Sequence, residues 1–241
     1  HLNTIHSICG DQVTVSGTAI LFACYKFAII PSDIPRPVAL AAIDISRLLP
    51  QVESMLKPFY EKQVSICIIG CGRAGLFAMV LARQVAPQAF ITAIDVNEKS
   101  LALAKELGVA NIVQKVDAQN PKQMLHFVNQ HLKHGADFVF NLVNIEATET
   151  PSIMAVREHG TVVFFSMATS FGRATLATDA CGKACTCLIG AGVYEEQAPM
   201  AFGMIRQYAK LKKFLYESTG VDDDQVDENV PIWVPTKQLV E

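Results

Sequence analysis

An apolar stretch at residues 64–69 (Val-Ser-Ile-Cys-Ile-Ile) runs straight into Gly70-Cys-Gly72-Arg73-Ala74-Gly75, and twenty residues after Gly75 a second apolar stretch closes on Asp95. This order of strand, glycines, helix, strand and acid leaves few folds open. Gly70 permits a tight turn off the strand, Gly72 leaves main chain bare for the approach of a diphosphate, and Gly75 lets the next helix pack closely on the sheet. The helix opening at Arg73 and Ala74 offers free N–H groups and a partial positive charge to phosphate. The Asp95 carboxylate is placed to accept from both hydroxyls of an adenosine ribose. It would repel a 2′-phosphate, so the implied cofactor is NAD rather than NADP.

The surrounding pattern extends the unit to a whole domain. Strands are expected at residues 64–69, 89–95, 112–113, 136–141, 160–165 and 185–189. Helices are expected at 73–86, 98–107, 121–132 and 148–157. Asn97 stands where an N-cap belongs, Gly108 where a helix stops, and Pro121 in a permitted first turn. Six strands in βα alternation give an α/β fold, a doubly wound parallel six-stranded Rossmann sheet. Upstream, residues 13–16, 19–22 and 25–30 read as short extended pieces. A proline-rich connector at 31–37 leads to a helix at about 38–49, which Pro50 is expected to end. Residues 198–216 read as one last amphipathic helix, and the rest as a polar tail.

Charge and composition exclude several classes. The net charge is −3 and no Lys/Arg cluster stands out, so nucleic acid is not an expected partner. No apolar run reaches membrane-spanning length: the best, residues 18–30, is interrupted by Lys26 and followed by Pro31. No signal peptide is visible, and seven cysteines, an odd number, suit free thiols in a reducing cytoplasm. Cys181, Cys185 and Cys187 invite a metal reading, but Cys185 and Cys187 open an apolar strand, where buried thiols are the plainer account, and no metal is expected.

In an open α/β sheet ligands lie beyond the carboxyl ends of the strands. That rule adds Asn144 after the fourth strand, Ser166, Met167 and Thr169 after the fifth, and Gly190 after the sixth to Gly70, Gly72, Arg73, Ala74, Gly75 and Asp95. Asn144, Ser166 and Thr169 have polar groups suited to a carboxamide or a ribose. Each is equally able to satisfy its own turn.

Residues 166–171 (Ser-Met-Ala-Thr-Ser-Phe), 12–22 (Gln-Val-Thr-Val-Ser-Gly-Thr-Ala-Ile-Leu-Phe), 40–44 (Leu-Ala-Ala-Ile-Asp) and Gly182-Lys183 resemble the L-erythro-3,5-diaminohexanoate dehydrogenases of lysine fermentation, over roughly residues 10–216. That family lies in the medium-chain dehydrogenase/reductase superfamily. The resemblance implies a GroES-like β domain ending within residues 1–37 and mostly upstream of His1, a linking helix at 38–62, a dinucleotide-binding domain at 63–195, a C-terminal helix at 196–217 and a polar tail at 218–241. It also implies NAD-dependent oxidative deamination of a small amino-acid substrate, and a homodimer. Zinc enzymes of the superfamily carry a Cys ligand near position 44. Here the neighbourhood has neither Cys nor His, and Asp44 stands there instead, a carboxylate able to pair with a substrate ammonium. Lys183 is a candidate for a substrate carboxylate. The sequence departs from the family after the sixth strand, where the family's Gly-Asn-Gly-Tyr is Gly190-Ala191-Gly192-Val193 and Gln197 occupies a histidine position. A zinc-free alcohol or quinone oxidoreductase, or a non-catalytic NAD-binding relative, are the alternatives.

Overall fold

The structure, a computed structural model, describes residues 2–9, 12–18, 27–190 and 192–222. At the N-terminal end, β1 (Leu2–Cys9) and β2 (Gln12–Gly17) form an antiparallel hairpin with two register irregularities. β2 contains the strand expected at 13–16. The strand expected at 19–22 lies outside the described residues, and residues 27–31 have no regular structure.

After the proline-rich turn the chain forms α1 (Arg36–Ser46) and α2 (Leu48–Leu56). Pro50 does not end a helix. It is the third residue of α2, within the first turn, where a missing N–H costs no hydrogen bond. The βα alternation then runs β3 (Ser65–Ile69), α3 (Arg73–Val85), β4 (Phe90–Asp95), α4 (Glu98–Leu107), β5 (Ile112–Lys115), α5 (Pro121–His131), β6 (Ala136–Asn141), α6 (Glu149–Ala155), β7 (Val156–Phe164), α7 (Phe171–Cys181) and β8 (Thr186–Ile189). α8 (Gln197–Gln207) and α9 (Ala209–Thr219) follow, two helices where the periodicity predicts one.

The six strands pair in parallel in the order β5-β4-β3-β6-β7-β8. This is the doubly wound Rossmann order, with its switch point between β3 and β6. Alternate residues of β3 explain why the strand is apolar throughout. Ile66 and Ile68 enter one core with α1–α4, α8 and α9, while Cys67 and Ile69 enter the other with α5–α7. Local signals set the helix ends. The Asn97 side chain accepts from the N–H groups of Lys99 and Ser100, Asn120 does the same for Lys122 and Gln123, and Gly108 closes α4 in the left-handed region. Among the described residues no helix is long and apolar enough to cross a membrane.

The connector is fastened to the far end of the chain. Asp33 accepts from Nε and Nη2 of Arg206 in α8, at 2.7 and 2.8 Å. Arg206's hydrogen bonds hold the Asp33 carboxyl below its ordinary range, against the opposing effect of burial.

Candidate cofactor-binding site

β3 delivers the chain to the switch point, and the turn there is built from glycines with different constraints. Gly70 has φ +102°, a region L side chains rarely adopt, and a Cβ on it would lie 2.7 Å from Cγ1 of Val143. Its N–H donates to the Ile94 carbonyl at 2.8 Å. A Cβ on Gly75 would sit 1.9 Å from the Gly70 carbonyl oxygen, so the close packing it allows is against the turn itself as well as the sheet. Gly72 is the N-cap of α3, and a Cβ there would meet nothing within 4 Å. Among the described residues no side chain caps α3 at Gly72, which leaves its leading N–H groups for a ligand. The vacant space before Gly72 and the uncapped helix fit a diphosphate.

Asp95 ends β4 beside this turn. One carboxylate oxygen accepts from the Cys71 N–H at 2.7 Å and the other from the Asn97 N–H at 2.8 Å. Both oxygens therefore brace main chain, and each retains a second lone pair for a ribose hydroxyl. Asp95 and Gly70 rim a cleft of about 270 Å³ whose walls include Val116, Ala118, Val143 and Ile145. Apolar walls with a carboxylate at the rim fit a flat base and its sugar.

The loop after β6 is set by a buried polar network that the sequence did not announce. Asn141 Nδ2 donates to Thr148 Oγ1 at 2.8 Å and to Ser152 Oγ at 3.0 Å. Thr148 Oγ1 donates to the Ile145 carbonyl, and Ser152 Oγ to that of Thr148. The loop presents Asn144, whose Oδ1 accepts from Ser166 Oγ and the Ala168 N–H, both at 3.2 Å. Two residues nominated from separate strand ends are thus in contact. Thr169 N–H reaches the Ser166 carbonyl at 3.4 Å, Met167 is almost wholly exposed, and Gly190, at φ +78°, donates its N–H to the Phe164 carbonyl.

Arg73 and Asp44 meet at the head of α3, with Nη2 3.9 Å from Oδ2 and both side chains exposed. Asp44 therefore stands beside the opening of the glycine turn. Lys183 requires a correction. Its Nζ donates to the carbonyls of Ile153, Met154 and Val156 at 3.3, 2.7 and 2.6 Å. All three donors serve the end of α6, and Lys183 precedes β8, at the amino end of that strand. Ligands gather at the carboxyl end, so Lys183 is not free to meet a substrate carboxylate. Burial lowers its pKa from the ordinary lysine value.

Cys181, Cys185 and Cys187, the thiols that invite a metal reading, do not gather into a metal-holding group. Burial pushes Cys67 and Cys71 up to about 12, and Cys185, 4.0 Å from Cys187 across their sulfurs, to about 11. Among the described residues no group of three or more His, Cys, Asp or Glu is gathered to hold a metal ion, so those residues do not fit zinc.

Sheet order, glycine turn and acid together define a dinucleotide-binding Rossmann unit of the dehydrogenase type. The zinc-binding dehydrogenase family model matches residues 74–206. The chain belongs to that family, within the medium-chain dehydrogenase/reductase superfamily. It is 32% identical over 210 residues to the L-erythro-3,5-diaminohexanoate dehydrogenase of Fusobacterium nucleatum, across 86% of this chain and 60% of that protein. It is 34% identical over 200 residues to the protein of the same name from Acetoanaerobium sticklandii, across 82% and 57%. The chain thus spans less than two thirds of the length of these relatives. Its fold also resembles that of a short chain alcohol dehydrogenase from E. coli CFT073 solved with NADH, with TM-score 0.55 and 13% identity over 77% of this chain and 50% of that one.

Proposed function

We propose that this chain carries the nucleotide-binding half of an NAD-dependent dehydrogenase that deaminates a 3,5-diaminohexanoate-type amino acid. The observation that carries the reading is the uncapped, glycine-opened helix beside Asp95 at the switch point. Gly72 and the first turn of α3 would hold the diphosphate, with Arg73 adding positive charge. The cleft between Asp95 and Ile145 would take the adenosine, and the remaining lone pairs of Asp95 would accept from its ribose. Asn144, Ser166, Met167, Thr169 and Gly190 line the nicotinamide side. When bound, the nicotinamide would supply the acceptor for a hydride from the carbon bearing the substrate amine. The chain's part is orientation. Asp44 is the carboxylate assigned to the substrate ammonium, and Asn144 and Ser166 brace each other so that neither needs reordering when the site fills.

Under the same reading, residues 1–37 finish a GroES-like domain, residues 63–195 form the dinucleotide domain, and the protein works as a cytoplasmic homodimer. The relatives' name supports the choice of substrate. The test is titration calorimetry with NAD and NADP, followed by NADH formation from the diamino acid by the full-length gene product. NAD is expected to bind the more tightly, and turnover is expected with the diamino acid but not with simple alcohols. Absence of NAD binding rejects the site, and turnover of alcohols alone rejects the substrate. Asp44→Asn is expected to lower kcat/KM for the diamino acid about a hundredfold while NAD affinity changes less than threefold. Equal loss in both would move Asp44 to cofactor binding.

A further inference from the structure

The loop after β7 is tied down twice, once from the loop after β6 and once from the start of α6. Asn144 makes the first tie, through Ser166 and Ala168. The second comes from Glu149, the first residue of α6, which is 1% exposed. Its Oε1 accepts from the Ser170 N–H at 2.7 Å. Ser170 is the N-cap of α7, its hydroxyl accepting from the Arg173 N–H, so Glu149 holds the junction between the loop and the helix. The carboxylate also stands at the positive end of the α7 dipole. Its other oxygen, Oε2, is buried and has no hydrogen-bond partner among the described residues. An interior acid with an idle oxygen is costly, and stability alone gives no reason to keep one.

We propose that Glu149 is a positioning residue for the nicotinamide half of the cofactor. By fixing the Ser170 N–H it sets the path of residues 166–170, and so presents Ser166 and Thr169 to the nicotinamide in one conformation. Its reach ends there. The adenosine cleft and the diphosphate turn are built from β3, β4, β5 and the loop after β6, which keep their own hydrogen bonds without it. The inference rests on the cofactor reading above, and it predicts a split between two ligands that share everything except the nicotinamide.

The experiment measures affinity for NADH and for ADP-ribose by titration calorimetry on the full chain, in wild type, Glu149→Ala, Glu149→Gln and Glu149→Asp, with circular dichroism and thermal melting to verify the fold. ADP-ribose carries the adenosine and the diphosphate but no nicotinamide. Glu149→Ala is expected to weaken NADH about tenfold and leave ADP-ribose within twofold, the loss of one charge-assisted hydrogen bond. Glu149→Gln keeps an acceptor for Ser170 and is expected to restore NADH binding. Glu149→Asp keeps the charge but withdraws it by one methylene, and is expected to show the same split as alanine. It carries the test if the alanine variant does not fold. Equal weakening of both ligands, or of neither, overturns the proposal, as does failure of glutamine to restore binding. Wild-type protein that binds neither ligand overturns the cofactor reading and this inference with it. Wild type that binds both while the variants show no split overturns this inference alone.

Discussion

Adding a methyl group to each glycine of the β3–α3 turn meets a different obstacle, and the differences separate folding from binding. At Gly75 the new carbon would lie 1.9 Å from the Gly70 carbonyl oxygen, a backbone atom that cannot swing aside. Gly75→Ala is therefore expected to destabilise the protein by about 3 kcal/mol or more, read as a fall in the urea midpoint. At Gly72 the same carbon enters open space, and the backbone (φ −73°, ψ −165°) suits any L residue. Gly72→Val is expected to stay within about 1 kcal/mol of wild type, yet to lose NAD binding at least a hundredfold in calorimetry, because its side chain fills the space assigned to the diphosphate. A valine variant that binds NAD as wild type does would remove the basis of the cofactor site. The spacing of the glycines was enough to find this turn. What it did not contain was the occupation of Asp95 by two N–H groups, because Cys71 and Asn97 contribute main chain that looks the same whatever their side chains.

Elements were legible where caps and periodicity agreed, and lost where one was silent. α4 is read to the residue because Asn97 and Gly108 mark both ends. α7 was missed because it buries little beyond Ala174 and Ala177 and leaves Phe171 and Leu176 exposed, so no apolar stripe signals it. Its caps, Ser170 and a left-handed Gly182, were the signal that could have found it. The break between α8 and α9 falls at Tyr208, which is extended and has neither glycine nor proline to betray it. β7 begins earlier than its apolar run, since Val156 pairs with Ala136 ahead of a register shift and His159 takes φ +59°. Lys183 belongs to this scale too, because its role is visible only once α6 and the loop before β8 are adjacent. Lys183→Met is expected to lower stability by about 1–3 kcal/mol by leaving three carbonyls at the end of α6 without their donor. The KM for the proposed amino-acid substrate is expected to stay at the wild-type value in steady-state assays. A raised KM with unchanged stability would return Lys183 to the substrate site.

At the scale of the molecule, the sheet is covered on one side by α5–α7 and on the other by helices from both ends of the chain, with α1 and α2 packing against α3 and α8. Nothing local in the sequence foretold that pairing of ends, and its polar fastening joins residues 173 apart. The Asp33 carboxylate is 16% exposed and Arg206 23%, so solvent screens the pair only in part. Two charge-assisted hydrogen bonds in such a setting are worth about 1–3 kcal/mol. Because Arg206 lowers the Asp33 pKa from 3.8, the folded state favours the ionised acid. The stabilisation is therefore complete above the unfolded value and is lost as pH falls through the folded one. Asp33→Asn keeps the size and removes the charge, so its deficit relative to wild type should be greatest at neutral pH and narrow as the buffer passes below about pH 4. Urea midpoints of both proteins at pH 7, 5 and 3 would show this, provided the two unfolding slopes match. A deficit that stays constant with pH would mean that Asp33 acts through its shape and not its charge. No deficit at any pH would mean that apolar packing of α1 against α8 holds the two ends of the chain together unaided.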